Sequence, residues 1–214
     1  MRCVHTTVYL IRNAETAWNK ERRLAGRREL GLSDKGLATA HNLVTLFHGI
    51  PIDEVLTSPL PRAVETAKIL AGARGLEVAR DPRLIDWQAG DWEGRTYEDI
   101  MRDPRYAALL GQPPSDITMP GGERLTDTRL RLQSSVDQAL SDNELGSDIV
   151  LVSHAGPLRL LLSYYLSVPP WDHERLRLDP GSVTVLTFTS LTSPPTLRTI
   201  NCTRPLLDTL GLAR

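Results

Sequence analysis

Three short apolar runs, each stopped by a polar turn and followed by a helix-periodic stretch, constrain this chain more than any other feature. Val8-Tyr9-Leu10-Ile11 runs into Arg12-Asn13, Glu54-Val55-Leu56-Thr57 into Ser58-Pro59, and Asp148-Ile149-Val150-Leu151-Val152-Ser153 into His154. Runs that are continuously apolar, rather than alternating, read as strands buried on both faces. Ser33 or Asp34 caps a helix to about Phe47 that places Leu37, Ala40, Leu43, Val44 and Phe47 on one face. Pro61 stands in the first turn of a second helix that ends near Ala73. A third helix is predicted from about Thr126 to Ser141, and a fourth from Gly156-Pro157 to Leu166. Leu76 to Ala79, Ser182 to Thr189 and Thr196 to Asn201 read as further strands. Strands alternating with helices predict an α/β fold: a mostly parallel central sheet with helices on both faces.

Between Asp81 and Arg124 the periodicity fails. Trp87, Gly90, Trp92 and Gly94, then Gln112-Pro113-Pro114 and Pro120-Gly121-Gly122, punctuate the stretch. Loops and short helices are expected there, forming a small cap insertion of about residues 87–124 over one end of the sheet. With 214 residues, of which 41% are apolar and 24% charged, the whole chain 1–214 suits one globular domain. A net charge of −1 gives no basis for nucleic acid or a membrane surface as partner. Cys3 and Cys202 form neither a disulfide framework nor a metal-ligand spacing, and no acidic cluster would hold an ion. No metal and no cofactor are therefore expected, and a reduced, cytoplasmic setting. The opening MRCVHTTVYLIR reads as a first strand, not as a signal peptide or a membrane span. The apolar late strand from Val183 to Phe188 offers an edge for a homodimer.

Chemistry collects at the carboxyl ends of the three apolar runs, the edge at which open α/β sheets bind ligands. Arg12-Asn13-Ala14-Glu15-Thr16 follows the first, Ser58-Pro59-Leu60-Pro61-Arg62-Ala63 the second, and Ser153-His154-Ala155-Gly156-Pro157 the third. Two guanidiniums at one rim suit a phosphate or carboxylate, since each presents a planar fork of charged donors. Each motif also has a structural explanation. Arg12 can pair with Glu15, Arg62 at a helix N-terminus can pair with a structural carboxylate, His154 can be a satisfied core histidine, and Trp92-Glu93-Gly94 a turn over an aromatic anchor.

Taken together, these motifs resemble the histidine phosphatase superfamily, the phosphoglycerate-mutase-like proteins. The likeness runs through "RNAET", "AWN", "RRLAGRRELGLSDKG", "TSPLPRAVETAKIL", "GDWEGRTYEDI", "PGGER", "LVSHAGPLRLLL" and "DPGSVTVLTF", in family order from Val8 to about Phe188. "GDWEG" and "PGGER" look more like the small-molecule phosphatase branch than the glycolytic mutases. The resemblance implies a phosphomonoester hydrolase acting on a small phosphorylated metabolite. Arg12, Asn19, Arg62 and His154 would hold the phosphoryl group. A carboxylate at the position of Asp86, where this branch usually has glutamate, would protonate the leaving alcohol and then help water hydrolyse the intermediate.

One residue departs from the pattern. The family places its nucleophilic histidine where this chain has Asn13, and an amide nitrogen, its lone pair delocalised into the carbonyl, does not attack phosphorus. Three readings follow: an inactive form engineered from a histidine enzyme; a natural enzyme repurposed to acid–base chemistry by His154 and Asp86 on an anionic substrate; or a non-catalytic binder of a phosphorylated ligand. As written, the chain is expected to be inactive as a phosphatase. Substrate choice would lie with the cap, where Trp87, Trp92, Tyr97 and Tyr106 could stack on a ring. Arg27 and Arg28 could meet a second anionic group, and Glu93 is the acid next in line after Asp86.

Overall fold

The computed structural model describes residues 5–110, 112, 117–168 and 175–211. Cys3 and the Pro113-Pro114 turn lie outside them. The sheet is built from β1 (Thr6–Arg12), β2 (Glu54–Thr57), β3 (Ala79–Arg80), β4 (Asp148–Ser153), β5 (Val183–Phe188) and β6 (Thr196–Cys202). Its order is β3-β2-β4-β1-β5-β6. The first four strands are parallel to their neighbours, whereas β5 runs antiparallel to β1 and β6 antiparallel to β5. The register sets Arg12 against Ser153 and Thr57 against Val152, so the three polar turns emerge at one edge.

Alternation along the central strands divides the core. Tyr9, Ile11, Val150 and Val152 face one side and pack under α2 (Asp34–Leu46) and α3 (Pro61–Gly72). Val8, Leu10, Ile149 and Leu151 face the other, against α6 (Leu125–Asp142) and α7 (Ala155–Tyr165). Both faces are covered, which is why the strands read as unbroken apolar runs. A third, smaller cluster holds Leu24, Trp87, Trp92, Ile100, Ile117, Leu125 and Leu160. It is where short helices α4 (Tyr97–Met101) and α5 (Pro104–Leu110) sit over the carboxyl edge; α1 (Ala17–Lys20), also short, follows the first turn.

Two sequence expectations need correction. The third strand is only Ala79–Arg80, not Leu76 to Ala79. After α3 the chain turns at Gly75, and Leu76 and Val78 pack as side chains against the core; pairing begins where Leu56 and Thr57 meet Ala79 and Arg80. The late strand Val183–Phe188 is not a free edge for a homodimer. It pairs with β1 on one side and β6 on the other, and its apolar character reflects burial.

The placement of the first turn depends on a glycine. Ser33 caps α2 by accepting from the Gly36 amide at 3.0 Å, and the Ser33 amide donates to the Glu15 carbonyl at 2.9 Å. A Cβ on Gly36 would lie 2.0 Å from that same carbonyl oxygen. Helix propensity alone favours Gly36→Ala by about 1 kcal/mol, but here the neighbour is backbone and cannot swing away. Gly36→Ala is therefore expected to destabilise the protein by about 1–3 kcal/mol, read as a lower midpoint in urea unfolding. A raised midpoint would mean that α2 does not rest on the Asn13–Glu15 turn.

Candidate active site

The site begins with a buried guanidinium. Pro61 opens α3 without needing its missing N–H, which brings Arg62 into the first turn, next to the positive end of the helix dipole. Arg62 is 2% exposed. Its Nη2 donates to Asp86 Oδ2 at 2.9 Å and to the Gly26 carbonyl at 2.8 Å, its Nη1 to the Arg28 carbonyl at 2.7 Å, and its Nε to His154 Nδ1 at 3.2 Å. The fork thus joins the turn after β2, the 26–28 loop, the segment after β3 and the end of β4.

His154, 1% exposed, is the N-cap position of α7. Because Nδ1 accepts from Arg62, the proton of the neutral ring sits on Nε2, which donates to Ser58 Oγ at 2.7 Å. Burial, followed by the charges of Arg62, Arg131 and Arg12, holds the imidazole well below the ordinary histidine pKa. The Asp86 carboxylate lies 3.8 Å from Nδ1, and with a neutral ring this is no ion pair.

Asp86 also accepts from the Trp87 amide at 3.0 Å. Burial raises its pKa to about 6, against the opposing pull of Arg62, the Trp87 amide and Arg131. A carboxyl group near neutrality suits proton donation at physiological pH. Its position is set from behind by a residue that the sequence did not single out. Arg131 on α6 donates to the carbonyls of Arg83 (2.7 Å), Ile85 (2.5 Å) and Asp86 (3.1 Å), and pairs with Glu123 at 2.8 Å.

Arg12 ends β1 and donates through Nη1 to the Leu178 carbonyl. It does not pair with Glu15, whose carboxylate goes to Lys35 at 2.9 Å. Burial and the nearby Arg159 lower the Arg12 pKa to about 10, while Asp86 acts in the opposite sense. Asn13 is buried. Its backbone amide donates to Ser153 at 2.8 Å and its Nδ2 to the Ala14 carbonyl at 2.8 Å. Asn19 accepts through Oδ1 from the Thr16 amide at 2.8 Å.

A cavity of about 630 Å³ opens over this edge. Arg12 and Asn19 line it, together with Arg22 and Arg159, which the sequence reading passed over. Asn13, Asp86 and His154 do not line it themselves but each adjoins in the chain a residue that does (Arg12, Trp87 and Ala155), and Arg62 is tied to Asp86 and His154 by hydrogen bonds. Arg27 and Glu93 serve the scaffold: Arg27 donates to the Asp86 carbonyl and to Glu123, and Glu93 accepts from the Arg27 amide at 3.0 Å. Arg28 lies 3.5 Å from Glu93. Ser58, Arg131 and Glu123 carry no local signal of their roles, which rest on contacts between residues far apart in the chain. Among the described residues no group of acidic, histidine and cysteine side chains could hold a metal ion, and no helix is long and apolar enough to cross a membrane.

The sequence model of the histidine phosphatase superfamily (branch 1) matches residues 8–203. A probable phosphoglycerate mutase of Yersinia pestis is 33% identical over 172 residues, 80% of each chain. The alpha-ribazole phosphatase of Shigella flexneri is 29% identical with a TM-score of 0.79, over 92% of this chain and 97% of that one. A mutant phosphoserine phosphatase of Entamoeba histolytica, in complex with phosphoserine, is 26% identical with a TM-score of 0.82, over 94% and 100%. The sheet order, the motifs at its carboxyl edge and these matches lead to one conclusion: the chain belongs to the histidine phosphatase superfamily.

Proposed function

We propose that the chain binds a small phosphomonoester at the ends of β1, β2 and β4, and that Asn13 prevents its turnover through a phosphorylated residue 13. One observation carries this reading. Arg62, His154 and Asp86 are joined in one hydrogen-bonded cluster at the same sheet edge as Arg12 and Asn13, and Asn13 keeps a donor to the Ala14 carbonyl without an imidazole's nucleophilic nitrogen. The relatives supply the substrate class, since they are phosphatases or a mutase of small phosphorylated compounds. In this reading Arg12 and Asn19 meet the phosphoryl oxygens from the cavity. Arg62 reaches them by exchanging its bond to Asp86, and a dianion beside Asp86 favours its protonated form.

His154 is not the acid or base of a repurposed reaction in this account. Both its nitrogens are engaged and its burial among arginines opposes protonation. It completes the site as a neutral ring that accepts from Arg62 and donates to Ser58.

With a histidine at position 13, the steps balance without a metal. The imidazole nitrogen attacks phosphorus, the bond to the alcohol oxygen breaks, and Asp86 gives its proton to the departing oxygen. Water then attacks the phosphohistidine, Asp86 takes the water's proton, and phosphate leaves. Loss of an essential nucleophile costs on the order of 10⁶-fold in rate, whereas positioning by the retained groups survives. The protein is therefore expected to release no phosphate from an aryl phosphate above background. Asn13→His is expected to gain about 10³-fold or more, measured as inorganic phosphate in a colorimetric assay. If Asn13→His stays at background while still binding phosphate, the retained groups are not a phosphatase site.

The pH profile follows from Asp86. A general acid works only when protonated, so kcat/KM of Asn13→His is expected to hold below about pH 6, the Asp86 pKa, and to fall above it. Adding Asp86→Asn is expected to cut kcat by about 10²-fold or more and to remove that limb. A double variant that keeps the limb would place the acid elsewhere.

A further inference from the structure

The cavity over the site is divided by chemistry. Its charged and amide side chains are Arg12, Glu15, Asn19, Arg22 and Arg159, which come from the end of β1, the turn after it and α7. Every described residue that the 87–125 stretch contributes is apolar or aromatic, including Trp87, Trp92, Tyr106, Ile117, Met119 and Leu125. Among the described residues of that stretch, none that lines the cavity carries a carboxylate, an amide or an aliphatic hydroxyl. A volume of about 630 Å³ is far larger than a phosphoryl group needs and lies in the range of cavities that take a ring-bearing small molecule.

We infer that the organic part of the phosphomonoester is a bulky apolar or aromatic group, seated on this wall, rather than a glycerate, a sugar or an amino acid. The inference rests on the phosphomonoester reading above and adds the substrate class. Its physical basis is desolvation. A polyol pressed against this wall would give up bonds to water and find, among the described cap side chains that line it, only two tyrosine hydroxyls and two indole N–H groups, of which that of Trp92 already goes to Asp103. An aryl group would instead remove from water its own surface and that of the exposed Tyr97 and Met101 on the wall, over tryptophans that are already buried. Trp87 makes the link to the chemistry. It follows Asp86 directly, and its ring packs on the start of α7 so closely that a Cβ at Gly156 would lie 2.8 Å from it. The wall therefore begins one residue from the acid, where the departing alcohol must sit.

The test is equilibrium binding to the protein with Asn13 in place, which is not expected to consume its ligand. Calorimetry with 1-naphthyl phosphate, glycerol 3-phosphate and inorganic phosphate separates the two levels of the account. 1-Naphthyl phosphate is expected to bind at least about tenfold more tightly than glycerol 3-phosphate, and inorganic phosphate to compete with both. Met101 is 56% exposed and lines the cavity with Met119, so Met101→Gln/Met119→Gln leaves the main core intact. That variant is expected to lose naphthyl phosphate affinity several-fold with inorganic phosphate affinity unchanged. Equal or tighter binding of glycerol 3-phosphate, with phosphate still competing, overturns the apolar substrate class and leaves the phosphomonoester reading standing. Naphthyl phosphate binding that inorganic phosphate does not displace, or no binding of any of the three, overturns both.

Discussion

The buried guanidinium of Arg62 is the interaction on which the rest of the site depends. A cation in the first turn of a helix meets the unfavourable end of the dipole, and burial removes the water that would otherwise solvate it. Both effects are offset by Asp86, two loop carbonyls and the lone pair of a neutral histidine. Removing one partner of such a buried pair costs about 3–5 kcal/mol, because the other charge stays behind. The arrangement therefore fixes three separate segments: the 26–28 loop, the acid after β3 and the end of β4. Arg131 adds a second anchor to the same segment from the opposite layer.

That framework leaves the cavity edge with positive charge in excess of its partners. Arg12 has its pKa lowered to about 10 by burial and by Arg159. Glu15, the one carboxylate among the described residues of the lining, is committed to Lys35 and Ser33. An incoming dianion would relieve this repulsion, and its presence next to Asp86 would keep the carboxyl protonated. The electrostatics thus favour binding and proton donation together. The residue that follows β1 is an amide bonded to its neighbour's carbonyl, and under the proposed function it is there that a nucleophile is withheld.

Much of this was legible in the sequence because it is local. The apolar runs within β1 and β4 reflect burial on both faces, the Ser33 cap precedes its helix, and the three turns fall at equivalent strand ends. Asp86 was reachable only through the family resemblance, by aligning on Gly90-Asp91-Trp92-Glu93-Gly94. What stayed hidden depends on contacts distant in the chain. Ser58 becomes the partner of His154 only because β2 pairs with β4. Arg131 reads as one more polar residue on an amphipathic helix until the helix is laid against the 83–86 segment. Val183–Phe188 resembles a dimer edge because an apolar strand carries no mark of its second neighbour, which here is β6.

Under the proposed function an oxyanion binds against the side chain of Asn13, in the place where the family's nucleophile would meet phosphorus. Tungstate, a tetrahedral dianion with strong anomalous scattering, locates that place directly in a crystal of the protein. The account predicts one tungsten centre at the ends of β1 and β4, with its oxygens in hydrogen-bonding contact with Arg12 and the Asn13 amide and the Arg62–Asp86 bond lengthened. Tungstate bound elsewhere on the molecule, or an Arg12 still committed to the Leu178 carbonyl at saturating tungstate, would contradict it.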